Sequence, residues 1–192
     1  MSITAILLAA GRAERFGSAK LLAPLAAGPH AGLPVGIVAY RNLLTAIDEV
    51  IVVLRPNDPA LAARFASEHA RAVVAHRAGE GMGASLAAGV AAVPGAGGYV
   101  IALADMPWIA SPTIALVTQT LATGASVVAP RYRGERGHPV GFASAHREAL
   151  LALRGDEGAR PILEAHRDAL TLIDVDDPGV LRDVDLPDDL RA

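Results

Sequence analysis

The 192-residue chain contains no cysteine, which excludes disulfides, thiolate-held metals and a cysteine nucleophile, and fits a reducing compartment. Aromatic residues make up only 4% of it, against 52% hydrophobic residues overall. A mean hydropathy of +0.37 therefore rests largely on alanine, and the core should be close-packed from small side chains rather than rings. No apolar run approaches the ~20 residues needed to cross a bilayer. The apolar run 3–10 lacks the basic leader of a signal peptide, so a soluble, cytoplasmic chain is expected, with no membrane association. Basic excess is missing as well: 17 Lys and Arg against 20 Asp and Glu leave a net charge of −3. Sequence-independent nucleic-acid binding needs phosphate-neutralising cations in excess, so that class is excluded, while recognition of single phosphates stays open.

Lysine is almost absent. Sixteen of the 17 cations are Arg, and the one Lys, Lys20, shares a glycine-containing loop with Arg12 and Arg15, where random placement would put it in three cases of seventeen. A Lys ammonium is a compact, flexible point charge, suited to following a phosphate that leaves.

Apolar runs of strand length alternate with helix-period stretches, which predicts repeated βα units in one domain spanning 1–192. The expected fold class is α/β, a Rossmann-like three-layer domain with a mostly parallel central sheet and helices on both faces. Strands are expected at 4–10, 49–54, 72–76, 99–104, 126–130 and 170–175, and helices at 34–47, 58–70, 83–93, 111–123, 145–153 and 159–166. Asp58-Pro59 and Ser111-Pro112 read as N-cap plus first-turn proline pairs. Residues 131–142 read as a turn-rich hairpin or loop. The tail carries seven of the twelve aspartates.

Three loops carry chemistry. The first, Leu8-Ala-Ala-Gly11-Arg-Ala-Glu-Arg15-Phe-Gly17-Ser-Ala-Lys20, directly follows the first strand, and in open α/β sheets ligands bind outside the carboxyl ends of strands. Ala9, Ala10 and Gly11 have little or no side chain and admit a flat base or a phosphate to the backbone. Arg15 and Lys20 add full charges to an anion-binding nest of amides around Gly17. It is not a P-loop, because Lys20 stands three residues past Gly17 rather than next to it. An ordinary βα turn with solvated cations is the alternative.

The second follows the apolar run 99–104: Asp105-Met-Pro107-Trp108 places a carboxylate at the same rim. Hard oxygen donors suit Mg²⁺, typically held by one or two carboxylates plus substrate phosphates. A helix-capping role for Asp105 is the alternative, and Trp108 reads as a packing residue rather than a stacking platform.

The third, Gly79-Glu-Gly81-Met-Gly83-Ala84-Ser85, satisfies the permissive dinucleotide fingerprint GxGxx[GA], with Asp105 21 residues beyond Ala84. Arg77 and Ala78 separate it from its strand, which counts against that reading. The other is that Gly81, Gly83 and Ser85 open a helix whose first amides face the Lys20 loop. Beyond these, His138, fixed between Gly137 and Pro139 beside Arg131, Arg133 and Arg136, could meet a phosphorylated substrate, and Asp185 in the tail could bring a second carboxylate to a metal.

Taken together, Leu8-Ala-Ala-Gly11, Arg15-Phe-Gly17, Lys20, Gly81-Met-Gly83-Ala-Ser85, Leu103-Ala-Asp105-Met-Pro107, Arg136-Gly-His138-Pro-Val-Gly-Phe142, Gly155-Asp-Glu-Gly158-Ala-Arg160 and Asp183-Val-Asp185-Leu-Pro187 resemble the molybdenum cofactor cytidylyltransferase family, among the MobA-like NTP transferases. The resemblance runs from the first strand almost to the last residue. It departs at Ala13, where relatives often carry Ser, at Leu33, which replaces a common Lys, and at Leu54-Arg-Pro, which lacks a glycine frequent after the second strand.

The resemblance implies transfer of CMP from CTP to the terminal phosphate of molybdopterin, with Mg²⁺ and release of pyrophosphate, and a molybdenum hydroxylase receiving the product. It assigns Lys20, Arg15 and Asp105 to catalysis. Ala9, Ala10, Gly11, Arg15, Gly17, Lys20, Gly81, Gly83 and Ser85 go to the nucleotide, Asp105 and Asp185 to the metal, and Arg136 and His138 to the acceptor. The rivals are a guanylyl- or sugar-phosphate nucleotidyltransferase, an NAD(P)-dependent oxidoreductase using 79–84 and Asp105, and a non-catalytic molybdenum cofactor carrier.

Overall fold

A computed structural model describes residues 2–11, 16 and 19–191. Arg15 and Gly17 lie outside the described residues. The backbone alternates strand and helix: β1 (Ile3–Ala9), α1 (Val35–Leu44), β2 (Glu49–Leu54), α2 (Pro59–Ser67), β3 (Arg71–Val74), α3 (Met82–Ala91), β4 (Gly98–Leu103) and α4 (Ser111–Ala122). There follow β5 (Val127–Tyr132), β6 (Glu135–Arg136), β7 (Val140–Ala143), α5 (Arg147–Leu151), α6 (Arg160–Ala165) and β8 (Leu170–Asp174).

The strands form one eight-stranded sheet in the order β3-β2-β1-β4-β7-β5-β6, with β8 paired to β5. Only β6 and β7 run antiparallel to their neighbours. The chain winds outward from β1 through β2 to β3, then returns to place β4 on the other side of β1. That reversal is the topological switch point, where a crevice opens at the carboxyl ends of the strands.

The period-two alternation of each strand sorts its side chains between two cores. Ala5, Leu7 and Ala9 of β1 face Ile37 and Leu43 of α1, Phe65 of α2 and Val117 of α4. Ile6, Leu8 and Ala10 face Leu86 and Val90 of α3, Leu150 of α5 and Ile162 of α6. Both faces are covered, which is why these strands read as continuous apolar runs rather than alternating ones. Small residues set the layer spacing: a Cβ on Gly89 of α3 would stand 2.5 Å from Ile6 Cγ2 and 2.7 Å from Val53 Cγ2.

Two expectations shift. Residues 131–142, expected as a turn-rich hairpin or loop, do form a hairpin between β5 and β6, and they also hold β7, the antiparallel strand that joins β4 to β5. Four residues behind Pro139, with Gly141 among them, carry too short a pattern to read as a strand, and pairing on both edges stabilises it. The hairpin β5–β6 closes through Arg133 and Gly134, both at positive φ, the backbone of a two-residue turn matched to strand twist. Asp58 caps α2 as expected, its carboxylate accepting from the Leu61 amide at 3.3 Å. Ser111, by contrast, is the first helical residue of α4 rather than its cap. The exposed amide of Ala110 donates instead to Asp177 Oδ2 at 2.9 Å, from 67 residues away.

Candidate active site at the carboxyl ends of β1 and β4

β1 ends in Ala9, Ala10 and Gly11, and β4 runs through Leu103 to Asp105, side by side at the switch point. Two clefts open there. One, of about 610 Å³, is lined by Ala9, Gly11, Lys20, Asp105 and Asp185 among others; the other, of about 670 Å³, by Ala10, Gly11, Gly81, Ser85 and Asp105 among others. Gly11 and Asp105 border both. Among the described residues a Cβ on Gly11 would meet nothing within 4 Å.

Lys20, at the start of a short 3-10 turn, reaches across from the β1 side. Its Nζ donates to Asp105 Oδ2 at 2.8 Å and to Asp185 Oδ1 at 3.4 Å. Burial lowers the Lys20 pKa, but the hydrogen bond and charge of Asp105, joined by Asp185, outweigh it and hold the ammonium above its ordinary value. Lys20 is therefore a fixed cation at neutral pH. Among the described residues Asp105, Asp183 and Asp185 form a group in which one carboxylate oxygen from each lies within 4.8 Å of the other two. Asp183 has its carboxyl pushed up by burial and by the charges of Asp185 and Asp105. Like charges this close are relieved by a proton or by a neighbouring cation. An ammonium already stands there, so the donor set fits a hard divalent ion held by oxygen.

Sequence reasoning passed over Asp183 in favour of Asp185, although the signal was present. Val184 is fully buried against Phe16, Leu25, Val35 and Val38, and in an extended segment the residues flanking a buried one share the opposite face. It also passed over Asn42 of α1, whose side-chain amide donates to the carbonyls of Pro107 at 2.9 Å and Ile109 at 3.2 Å and holds the turn after Asp105. A third omission is Arg55, which follows β2, lines the first cleft and pairs with Asp58.

The remaining sites differ in how far they converge. Gly81 and Ser85 line the second cleft, but Gly83 donates its amide to the Gly155 carbonyl at 2.8 Å, and a Cβ on it would stand 2.7 Å from the Arg154 carbonyl oxygen. Gly81 takes a φ of 113° against the backbone of Gly155. These glycines serve the close approach of α3 to 154–155, and α3 opens seven residues beyond β3 rather than at its end. His138 and Arg136 line neither cleft. His138 is mostly buried, its Nδ1 has no hydrogen-bond partner among the described residues, and burial, with the charge of Arg136, pushes its pKa down to about 4 despite the opposing pull of Asp105. Arg131 is bound bidentately by Asp174 at 2.7 and 2.8 Å, which neutralises part of the positive region expected there. Trp108 packs its ring under the Arg182 guanidinium, 4.4 Å from the ring centre.

Residues 5–170 match the model of the MobA-like NTP transferase domain. The chain belongs to the MobA-like NTP transferase family. It is 33% identical over 95% of its length to nicotine blue oxidoreductase of Paenarthrobacter nicotinovorans, covering 92% of that protein. It is 31% identical over 96% of its length to the purine catabolism protein PucB of Bacillus subtilis (strain 168), covering 92% of it. Among solved structures, the manganese complex of Rv0371c from Mycobacterium tuberculosis H37Rv aligns with a TM-score of 0.80 at 28% identity, over 98% of this chain and 96% of that one. As a MobA-like NTP transferase the protein is a nucleotidyltransferase, and divalent-metal use by a structural neighbour agrees with the carboxylate group described above. Among the described residues no helix is long and apolar enough to cross a membrane.

Proposed function

We propose that the protein transfers CMP from CTP to the terminal phosphate of molybdopterin. The observation that carries the reading is Lys20 Nζ held between Asp105 and Asp185 where β1 and β4 end, a cation and carboxylates lining the first cleft, with Asp105 bordering the second as well. An acceptor phosphate oxygen attacks the α-phosphorus, the α–β anhydride bond breaks, and pyrophosphate leaves with the bonding electrons. The attacking phosphate is already ionised, so no general base is needed, and catalysis is positioning plus charge stabilisation.

Asp105, Asp183 and Asp185 would hold Mg²⁺, which when bound supplies positive charge to the phosphate oxygens. Ala9, Ala10 and Gly11 let the nucleotide lie against the end of β1, with Gly81 and Ser85 on the far wall of the second cleft. Lys20 exchanges its carboxylate partners for the phosphates and follows the departing pyrophosphate, a motion its flexible stem allows. Arg15 and Gly17 complete the nucleotide loop. His138, neutral at physiological pH, offers an uncommitted Nδ1, and Arg136 its guanidinium, to the acceptor. Cytoplasmic turnover would hand the product to a molybdenum hydroxylase.

The deciding experiment is pyrophosphate release with Mg²⁺ and molybdopterin, comparing CTP with GTP, ATP and UTP. Turnover confined to CTP supports the reading; preference for GTP moves it to guanylyl transfer. A relative bearing an oxidoreductase name favours one second reading, nicotinamide chemistry. NAD(P)H oxidation without pyrophosphate release from any triphosphate would establish that instead.

A further inference from the structure

The distance between Asp105 and the tail carboxylates is set by a seam of backbone contacts, and one buried side chain closes its far end. Residues 105–110 and 177–185 run against each other. At one end the Val184 amide donates to the Asp105 carbonyl at 2.8 Å. In the middle Gly179 lies flat on Trp108, so close that a Cβ would overlap the Trp108 carbonyl. At the other end Asp177, only 7% exposed, accepts three hydrogen bonds. Its Oδ2 takes the Ala110 amide at 2.9 Å and the Thr113 hydroxyl at 2.7 Å, and its Oδ1 takes the Gly179 amide at 3.0 Å.

We infer that Asp177 is a positioning residue for the metal site, fixing Asp183 and Asp185 against Asp105 by tying the tail to the first turn of α4. The inference rests on the reading of these three carboxylates as metal ligands. Asp177 touches none of them. It acts through chain: Oδ2 anchors the loop that carries Asp105, and Oδ1 sets the turn at Gly179 from which the tail proceeds to Val184. Val184 then plugs the small core beneath the site, leaving Asp183 and Asp185 on the outer face. A second brace lies beyond them, where Asp189 Oδ2 accepts from the amides of Asp185 at 2.9 Å and Leu186 at 2.6 Å. Of these two side-chain braces, the Asp177 brace is the one that joins both ligand-bearing segments. No group of the cleft needs Asp177 for its own hydrogen bonds, so burying a carboxylate here is accounted for by the loops it joins.

The test is Mn²⁺ binding to the full chain, read by electron paramagnetic resonance, together with CTP binding in excess chelator read by calorimetry. Asp177→Asn keeps one acceptor oxygen but turns an NH₂ toward the amide of Ala110 or of Gly179. Thr113→Val removes one donor and leaves the carboxylate in place. Ile162→Val, in the opposite layer, is the control for mild destabilisation. Residues that orient metal ligands at one remove typically govern affinity by about 10- to 100-fold. Asp177→Asn should therefore weaken Mn²⁺ binding by about tenfold or more, with Thr113→Val weaker in the same direction, CTP binding in chelator unchanged, and Ile162→Val like wild type. Should Asp177→Asn fail to fold, Thr113→Val must still show selective loss of metal affinity. Equal Mn²⁺ affinity in wild type and the folded variants would overturn the positioning role and leave the metal site standing. A wild-type chain that binds no Mn²⁺ with or without CTP would overturn the metal site itself.

Discussion

The two halves of the chain build the site by different means. From β1 to α4 the central strands β1, β2 and β4 are buried apolar runs, with the exposed β3 at the edge, and the residue that follows β1 or β4 is placed at the rim by its strand. Ala9, Ala10, Gly11 and Asp105 owe their positions to that regularity. After β5 the strands are short, 3-10 turns alternate with bends, and the tail returns across the sheet to set Asp183 and Asp185 beside Asp105. Position there comes from single long-range hydrogen bonds, such as Val184 to Asp105 and Ala110 to Asp177. A parallel sheet thus offers a rim at little specific cost, while completing a cation site on it takes a dedicated return of the chain.

The comparison breaks most visibly at the rim. Asp105→Asn should lower turnover by about 10²- to 10³-fold, the usual effect of removing one preorganised charge, while the thermal midpoint stays within a few degrees. Pyrophosphate release and a melting curve check this together, and near wild-type turnover would remove Asp105 from the chemistry. Lys20→Ala sharpens the point by separating the two cationic roles. Turnover should fall about 100-fold, yet Mn²⁺ should bind the free protein more tightly, because Nζ no longer competes for Asp105 and Asp185. Unchanged or weaker Mn²⁺ binding would show that Lys20 does not stand in for a metal.

The scaffold should behave in the opposite sense. Gly89→Ala drives a methyl into Ile6 and Val53 and should destabilise by about 1–3 kcal/mol, read by denaturant unfolding, with kcat unchanged. The last effect concerns pH. His138 titrates near 4 in the folded chain against 6.5 in a model peptide. Between those values the unfolded chain binds more protons, so stability rises with pH through this window and is fully present above about 6.5. His138→Gln should flatten that slope; an unchanged slope would place the titration elsewhere.

Legibility in the sequence followed the same division. The strands and helices of the first half were readable because burial on both faces gives long apolar runs, and proline and glycine mark their ends. Lys20 was readable from composition, and Asp105 from its place after an apolar strand. β7 was not, because four residues with a glycine among them hold no period; nor was the start of α4, because Ser111 obeys the local rule and the partner that overrides it lies far along the chain. The glycines at 81 and 83 fitted a phosphate-binding pattern, but whether a glycine serves a ligand or a neighbouring backbone depends on what lies opposite, here 154–155.

By itself, then, the sequence determined the α/β alternation and the residue types at the carboxyl rim of the sheet, since these depend on local period and on chain direction. Which carboxylates meet, that Lys20 lies between two of them, and that Asp177 rather than Ser111 caps α4 were decided by tertiary structure. Each is a contact between segments more than 60 residues apart, and no local preference encodes such a distance.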